Sequence, residues 1–153
     1  MNERNCVMGI VINPVGKAGV TPLTNLIRIV NNYSDITYII TDDNMKISFD
    51  IEYERVIVLS RNYSTEDNLL NKILNYVVLQ LFTSVKILQQ RKNVSTWIFF
   101  LNAQALLLPV VTAKITMKKV IFIPAASMKK AAEAKKSILY HLLSYSEMLT
   151  NSF

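Results

Sequence analysis

The sequence is short of the residues that staple or metallate small folds. Its 153 residues include one cysteine, Cys6, and one histidine, His141. A single thiol excludes an internal disulfide and points to a reducing compartment. One histidine and one cysteine cannot supply the ligands of a zinc site. Cys6 opens an apolar strand and reads as core. His141 falls well inside the last helix, remote from any site. Glycine is scarce, with three residues, and phosphate-cradling loops have little to draw on. Gly16-Lys17 is followed by Ala18 rather than serine or threonine, which excludes a P-loop, and the three-glycine dinucleotide fingerprint is missing as well. No cofactor and no metal are therefore expected. No long clean hydrophobic run occurs either. Leu69 to Leu88 comes nearest, but Asn71, Lys72, Asn75, Gln80 and Lys86 interrupt it, and a bilayer span needs about 20 mostly apolar residues. The opening Met1 to Cys6 has no secretory pattern, and the apolar run after it is too short for a signal peptide. The expected location is the cytoplasm. Acidic residues are few, 11 against 17 Lys and Arg, giving a net charge of +6. That excess favours anionic partners such as phosphates or an acidic membrane surface. Nucleic acid is not expected, because aromatic and basic residues are not interleaved on any exposed strand as stacking platforms require.

Hydrophobic residues make up 51% of the chain, enough for a sizeable core in one domain over residues 1–153. Val7 to Ile12 is a nearly continuous apolar run, the mark of a strand buried on both faces. Asn13-Pro14 stops it. Thr21 then reads as a helix N-cap with Pro22 at the first helical position, and Leu23, Leu26, Ile27 and Val30 follow at helical spacing. Ile36 to Ile40 is a second strand. Tyr53 to Leu59 holds a third. Ser64 or Thr65, with Glu66 and Asp67, reads as the start of a long helix whose middle, Tyr76 to Phe82, is apolar on most of its circumference. Trp97 to Leu101 is a fourth strand. Ala103 to Thr116 is helical, and Pro109 requires either a kink there or a regular part that starts near Leu108. Lys119 to Ile123 is a fifth strand, and Ser127 to Leu149 a last helix. Strands alternating with helices imply an α/β fold, a mainly parallel sheet of about five strands with helices on both faces.

In such sheets ligands bind beyond the carboxyl ends of the strands. Five segments qualify: Asn13 to Thr21, Thr41 to Lys46, Ser60 to Thr65, Asn102 to Gln104, and Pro124 to Lys130. The first holds Asn13, Gly16, Gly19 and Thr21, where glycine permits close approach of backbone to ligand and the following helix offers free N–H groups to an anion. In the last, Ser127 reads as an N-cap with Lys129 and Lys130 in the first turn. Cations there oppose the helix dipole, a local conflict that an anionic ligand or lipid headgroup would relieve. Asp42-Asp43 could take a sugar hydroxyl or a cation, although turns favour aspartate in any case. A phospho-receiver is excluded by its chemistry: Asn13, Ser60 and Ile123 stand where its two acidic positions and its lysine are needed.

Three segments carry a resemblance to a known family. They are Ile10-Val11-Ile12-Asn13-Pro14 with Gly16-Lys17-Ala18-Gly19-Val20, Phe99-Phe100-Leu101-Asn102 with Ala105 to Pro109 and Ala113-Lys114, and Lys118 to Phe122 with Ala125-Ala126-Ser127. Together they resemble the N-terminal domain of GT-B glycosyltransferases of the family 4 retaining type. The resemblance implies a Rossmann-like domain that binds the acceptor, while a C-terminal domain, not expected within residues 1–153, holds the nucleotide-sugar donor. Gly19, Asn102 and Ser127 are the positions it transfers. The histidine common in the family near Asn102, and the histidine-glycine pair near Ala125-Ala126, are missing, and no catalytic base is assigned. The expected partners are a nucleotide-sugar donor and a glycan or lipid-phosphate acceptor in the complete enzyme, a C-terminal partner domain or subunit, and an anionic membrane surface that would seat the chain peripherally at the inner face of the cell membrane. Asn13, Gly16, Gly19, Thr21, Asn102, Gln104, Ser127, Lys129 and Lys130 form the expected ligand-binding set. The alternative is a non-catalytic α/β binding or interaction module for an anionic ligand or partner protein.

Overall fold

A computed structural model describes residues 6–12, 20–43, 55–61, 69–101, 103–124 and 148. Within them lie five strands, β1 (Val7–Ile12), β2 (Ile36–Asp42), β3 (Val56–Arg61), β4 (Thr96–Phe100) and β5 (Lys119–Ile123). Three helices, α1 (Val20–Asn31), α2 (Leu69–Gln89) and α3 (Leu107–Ile115), alternate with them, and a short 3-10 turn at Ala103–Ala105 precedes α3. The strands form one sheet in the order β3-β2-β1-β4-β5, and every pairing is parallel. The expected α/β Rossmann-like architecture is therefore the observed one.

The strand order follows from chain connectivity and handedness. From β1 the chain steps one way along the sheet to β2, and from β3 it steps back past β1 to β4. Right-handed crossovers in opposite directions must run over opposite faces. Accordingly Leu23, Ile27 and Val30 of α1 pack on Ile10, Ile12, Ile39 and Ile98. On the other face Leu79 and Ile87 of α2, with Leu106, Val110 and Ala113 around α3, pack on Val11, Ile40, Trp97 and Phe99. Alternate residues of β1 and β4 serve opposite cores, which is why both strands read as unbroken apolar runs. Each large aliphatic side chain so buried contributes roughly 1.5–3 kcal/mol.

Gly9 is a packing requirement of this sheet. It pairs with Trp97 across β1 and β4, and a Cβ at Gly9 would overlap the Trp97 ring. The fully buried Trp97 thus occupies the space that a side chain on β1 would fill. At the amino ends of the strands, Asp35 brackets Cys6: its backbone N–H donates to the Cys6 carbonyl at 2.8 Å, and its Oδ2 accepts from the Cys6 N–H at 2.8 Å. The turn from α1 into β2 is closed by buried hydroxyls. Ser34 Oγ donates to the Val30 carbonyl at 3.0 Å, and Thr37 Oγ1 donates to Asn31 Oδ1 at 2.7 Å.

Several boundaries differ from those the sequence suggests. α1 begins at Val20, so Thr21 is an exposed first-turn residue rather than the N-cap, and Pro22 is the third helical residue. Proline is tolerated there because first-turn N–H groups have no partner within the helix. Pro109 is likewise third in α3. The helix does not kink; its regular part starts at Leu107, and the 3-10 turn takes up the residues before it. β2 and β3 each run two residues further than expected, and β4 runs from Thr96 to Phe100. The Ser64/Thr65 start of the long helix and the last helix from Ser127 lie outside the described residues. None of the described helices is long and apolar enough to cross a membrane.

Candidate functional site

Parallel pairing throughout places all five carboxyl ends on one edge. Along that edge the order is Arg61, Asp42, Ile12, Phe100 and Ile123. The order of connection reverses between β1 and β4, and there the chain leaves the two strands toward opposite faces. The resulting gap is where open α/β sheets bind ligands. Ile12 and Phe100 are in register across it. The strands that lead into two of the expected segments, Asn13 to Thr21 and Asn102 to Gln104, are therefore adjacent and end in register, although 88 positions separate Ile12 from Phe100 in sequence.

The walls of this gap come from both cores. Below it lie Ile12 and Phe100, buried against α1. On one side is the first turn of α1, whose free N–H groups number one fewer than usual because Pro22 has none. On the other, Leu101 turns the chain off β4 with φ of 50°, a left-handed conformation that costs a non-glycine residue roughly 1–2 kcal/mol. Leu101 is buried despite this, and its contact with the α1-side core offsets the backbone strain. The turn delivers Ala103, Gln104 and Ala105 into the 3-10 segment.

That segment is held from α2. Tyr76 Oη donates to the Ala105 carbonyl at 2.6 Å, and the Leu108 N–H donates to Gln80 Oε1 at 3.0 Å. Leu106 stands at the N-cap of α3 with no side-chain cap, so the buried Gln80 amide supplies from another helix what a local serine or aspartate would ordinarily provide. Sequence reading lists Gln80 only as an interruption of an apolar stretch. A lone amide in the most apolar turn of a helix is the signal that it has a buried partner.

Thr41 adds a polar atom at the same edge. It is 1% exposed, sits at the carboxyl end of β2 one strand from Ile12, and among the described residues its Oγ1 has no hydrogen-bond partner. An unsatisfied buried hydroxyl costs about 1–3 kcal/mol, and Ser84 Oγ and Trp97 Nε1 share that condition; of the three, Thr41 is the one at the carboxyl edge of the sheet.

Of the nine expected ligand-binding residues, Thr21 and Gln104 fall in the described part, on the two sides of the gap. Asn13, Gly16, Gly19, Asn102, Ser127, Lys129 and Lys130 lie outside it. The chain enters the Ser127 segment from the end of β5, two strands from β1, or roughly 10 Å along the edge. Among the described residues no cluster of His, Cys, Asp and Glu could hold a metal ion. No protein-family model, curated protein or solved structure matches the chain.

Proposed function

We propose that this chain is the acceptor-binding half of a GT-B glycosyltransferase, resembling the N-terminal domain of the family 4 retaining enzymes. In this reading a sugar passes from a nucleotide-sugar donor, held by a separate donor-binding half, to an acceptor seated at the gap between β1 and β4. The chain alone is inactive. The observation that carries the reading is that β1 and β4 end in register, Ile12 beside Phe100, at the point where strand order reverses. The α1 N-terminus, the Thr41 hydroxyl and the net charge of +6 suit an acceptor with a phosphate, such as a lipid-linked phosphate. A lipid-linked acceptor in turn places the chain at the cytoplasmic membrane surface as a peripheral protein.

The test is a binding screen of the chain, alone and with a donor-binding half, against nucleotide sugars and short-chain polyprenyl phosphates. The expected result is phosphate-acceptor binding by the chain alone and nucleotide-sugar turnover only with the second half. Lys129→Glu combined with Lys130→Glu is expected to weaken acceptor binding at least several-fold. Nucleotide-sugar binding by the chain alone, with no affinity for the acceptor, overturns the reading. One observation favours a second reading. Beside the gap, the described side chains Ile12, Val20, Thr21, Leu101 and Ala103 include no titratable group, as a non-catalytic binding module would have it. Acceptor binding without turnover in the presence of any donor half selects that module.

A further inference from the structure

The outer face of α2 is the reverse of a solvated helix. Its buried residues are Leu79, Gln80, Thr83 and Ile87, two of them polar. Its exposed side carries Leu70, Leu74, Val77, Leu81, Val85 and Leu88, each 43–62% exposed. These six recur at intervals of three and four and form one stripe along a helix of about 30 Å. A contiguous apolar stripe, unlike singly scattered surface leucines, is the kind of patch that marks an interaction surface. The neighbouring α3 adds the exposed Leu108 and Ile115 to the same layer.

The charge around this layer selects its occupant. From Asn68 to Pro124 the sequence contains seven Lys and Arg and no Asp or Glu. On α2 the charged residues are Lys72 and Lys86, both half-buried beside the stripe. Lys86 folds back along the helix, with Nζ 5.6 Å from the Phe82 ring centre and 3.2 Å from Gln89 Oε1. A second copy fits poorly. Lys72 and Lys86 are equidistant in sequence from Leu79, so antiparallel pairing about the centre of the stripe sets each against the other's lysine, and parallel pairing sets each against itself. Glu66 and Asp67 precede the helix in sequence, but among the described residues the charges along the stripe itself are cations, which makes it complementary to acyl chains below anionic headgroups.

We propose that the outer face of α2, extended by α3, docks in the plane of an anionic lipid bilayer, with the leucine stripe entering the headgroup–acyl boundary and Lys72 and Lys86 at the phosphates. This surface is independent of whatever the gap between β1 and β4 binds, and it holds whether or not the chain belongs to a glycosyltransferase.

The test is flotation of the full chain with vesicles of phosphatidylcholine alone and of phosphatidylcholine with 30% phosphatidylglycerol. The proposal expects binding to the anionic vesicles that weakens with salt, and little binding to the neutral ones. Leu74→Glu with Leu81→Glu is expected to reduce anionic-vesicle binding more than tenfold, with the far-UV circular dichroism and Tm of the parent retained. Lys72→Gln and Lys86→Gln, which leave the apolar stripe intact, are each expected to reduce it by about five-fold, so the proposal is still tested if the glutamate variant fails to fold. Equal binding to both vesicle types overturns it. So does a lack of vesicle binding accompanied by a concentration-dependent dimer that the leucine substitutions dissolve.

Discussion

At the scale of single residues, three positions carry costs that substitution can measure. Gly9 is required because the Trp97 ring occupies its side-chain space. Gly9→Ala is expected to destabilise the fold by about 1–3 kcal/mol through overpacking, read as a lower denaturant midpoint with unchanged slope. Met117 is the opposite case. It follows α3 with φ of 58°, its N–H donates to the Lys114 carbonyl at 2.9 Å, and the Lys118 N–H reaches back to the Ala113 carbonyl at 3.1 Å. This is the hydrogen-bond pair of a Schellman cap, with methionine where glycine is usual. Met117 is 92% exposed, so its side chain buries almost nothing. Met117→Gly is expected to stabilise by about 1 kcal/mol, raising Tm by roughly 2–4 °C. Thr41 separates structure from function. Thr41→Val keeps the shape and removes a hydroxyl that has no partner among the described residues, so a rise in Tm of a few degrees is expected. If that hydroxyl serves the proposed acceptor, affinity falls in the same variant. A rise in Tm with unchanged acceptor affinity removes Thr41 from the site.

At the scale of elements, the clearest dependence is that of α3 on α2. Gln80→Leu leaves the Leu108 N–H without its partner and is expected to cost about 1–3 kcal/mol, with amide exchange accelerated first at the start of α3. Tyr76→Phe is expected to cost about 0.5–1.5 kcal/mol by losing the bond to the Ala105 carbonyl. The same elements mark where the sequence is legible. β5 is read to the residue, because Lys119 to Ile123 is bounded by helix-ending and turn residues. β1 is read because burial on both faces leaves no polar interruption. The start of α1 is misread because Thr21-Pro22 has the chemistry of a cap, while first-turn geometry accepts proline two positions further in. The start of α3 is ambiguous for a related reason: a proline fixes where a helix can begin only to within its first turn. The dependence on Gln80 is not legible at all, since it joins residues 28 apart.

At the scale of the molecule, fold class is legible and site assembly only partly so. Alternating strands and helices give a parallel sheet, and parallel strands put every carboxyl end on one edge, so the five ligand-edge segments can be named from sequence. Which two of them meet depends on strand order, a non-local property. That β1 lies between β2 and β4, and hence that the strands leading into the Asn13 and Asn102 segments end side by side, emerges only from the strand order and the pairing of Ile12 with Phe100. The left-handed turn at Leu101 is equally hidden, because nothing about a leucine announces positive φ.

The proposed ligand site lies where β1 and β4 end. Amide chemical-shift mapping of the full chain during titration with a short-chain polyprenyl phosphate tests it most directly. Saturable shifts are expected at Ile12, Val20, Thr21, Thr41, Leu101 and Ala103, with the amino-end residues Cys6 and Asp35 unmoved. Shifts confined to other surfaces, or none at millimolar ligand, contradict it.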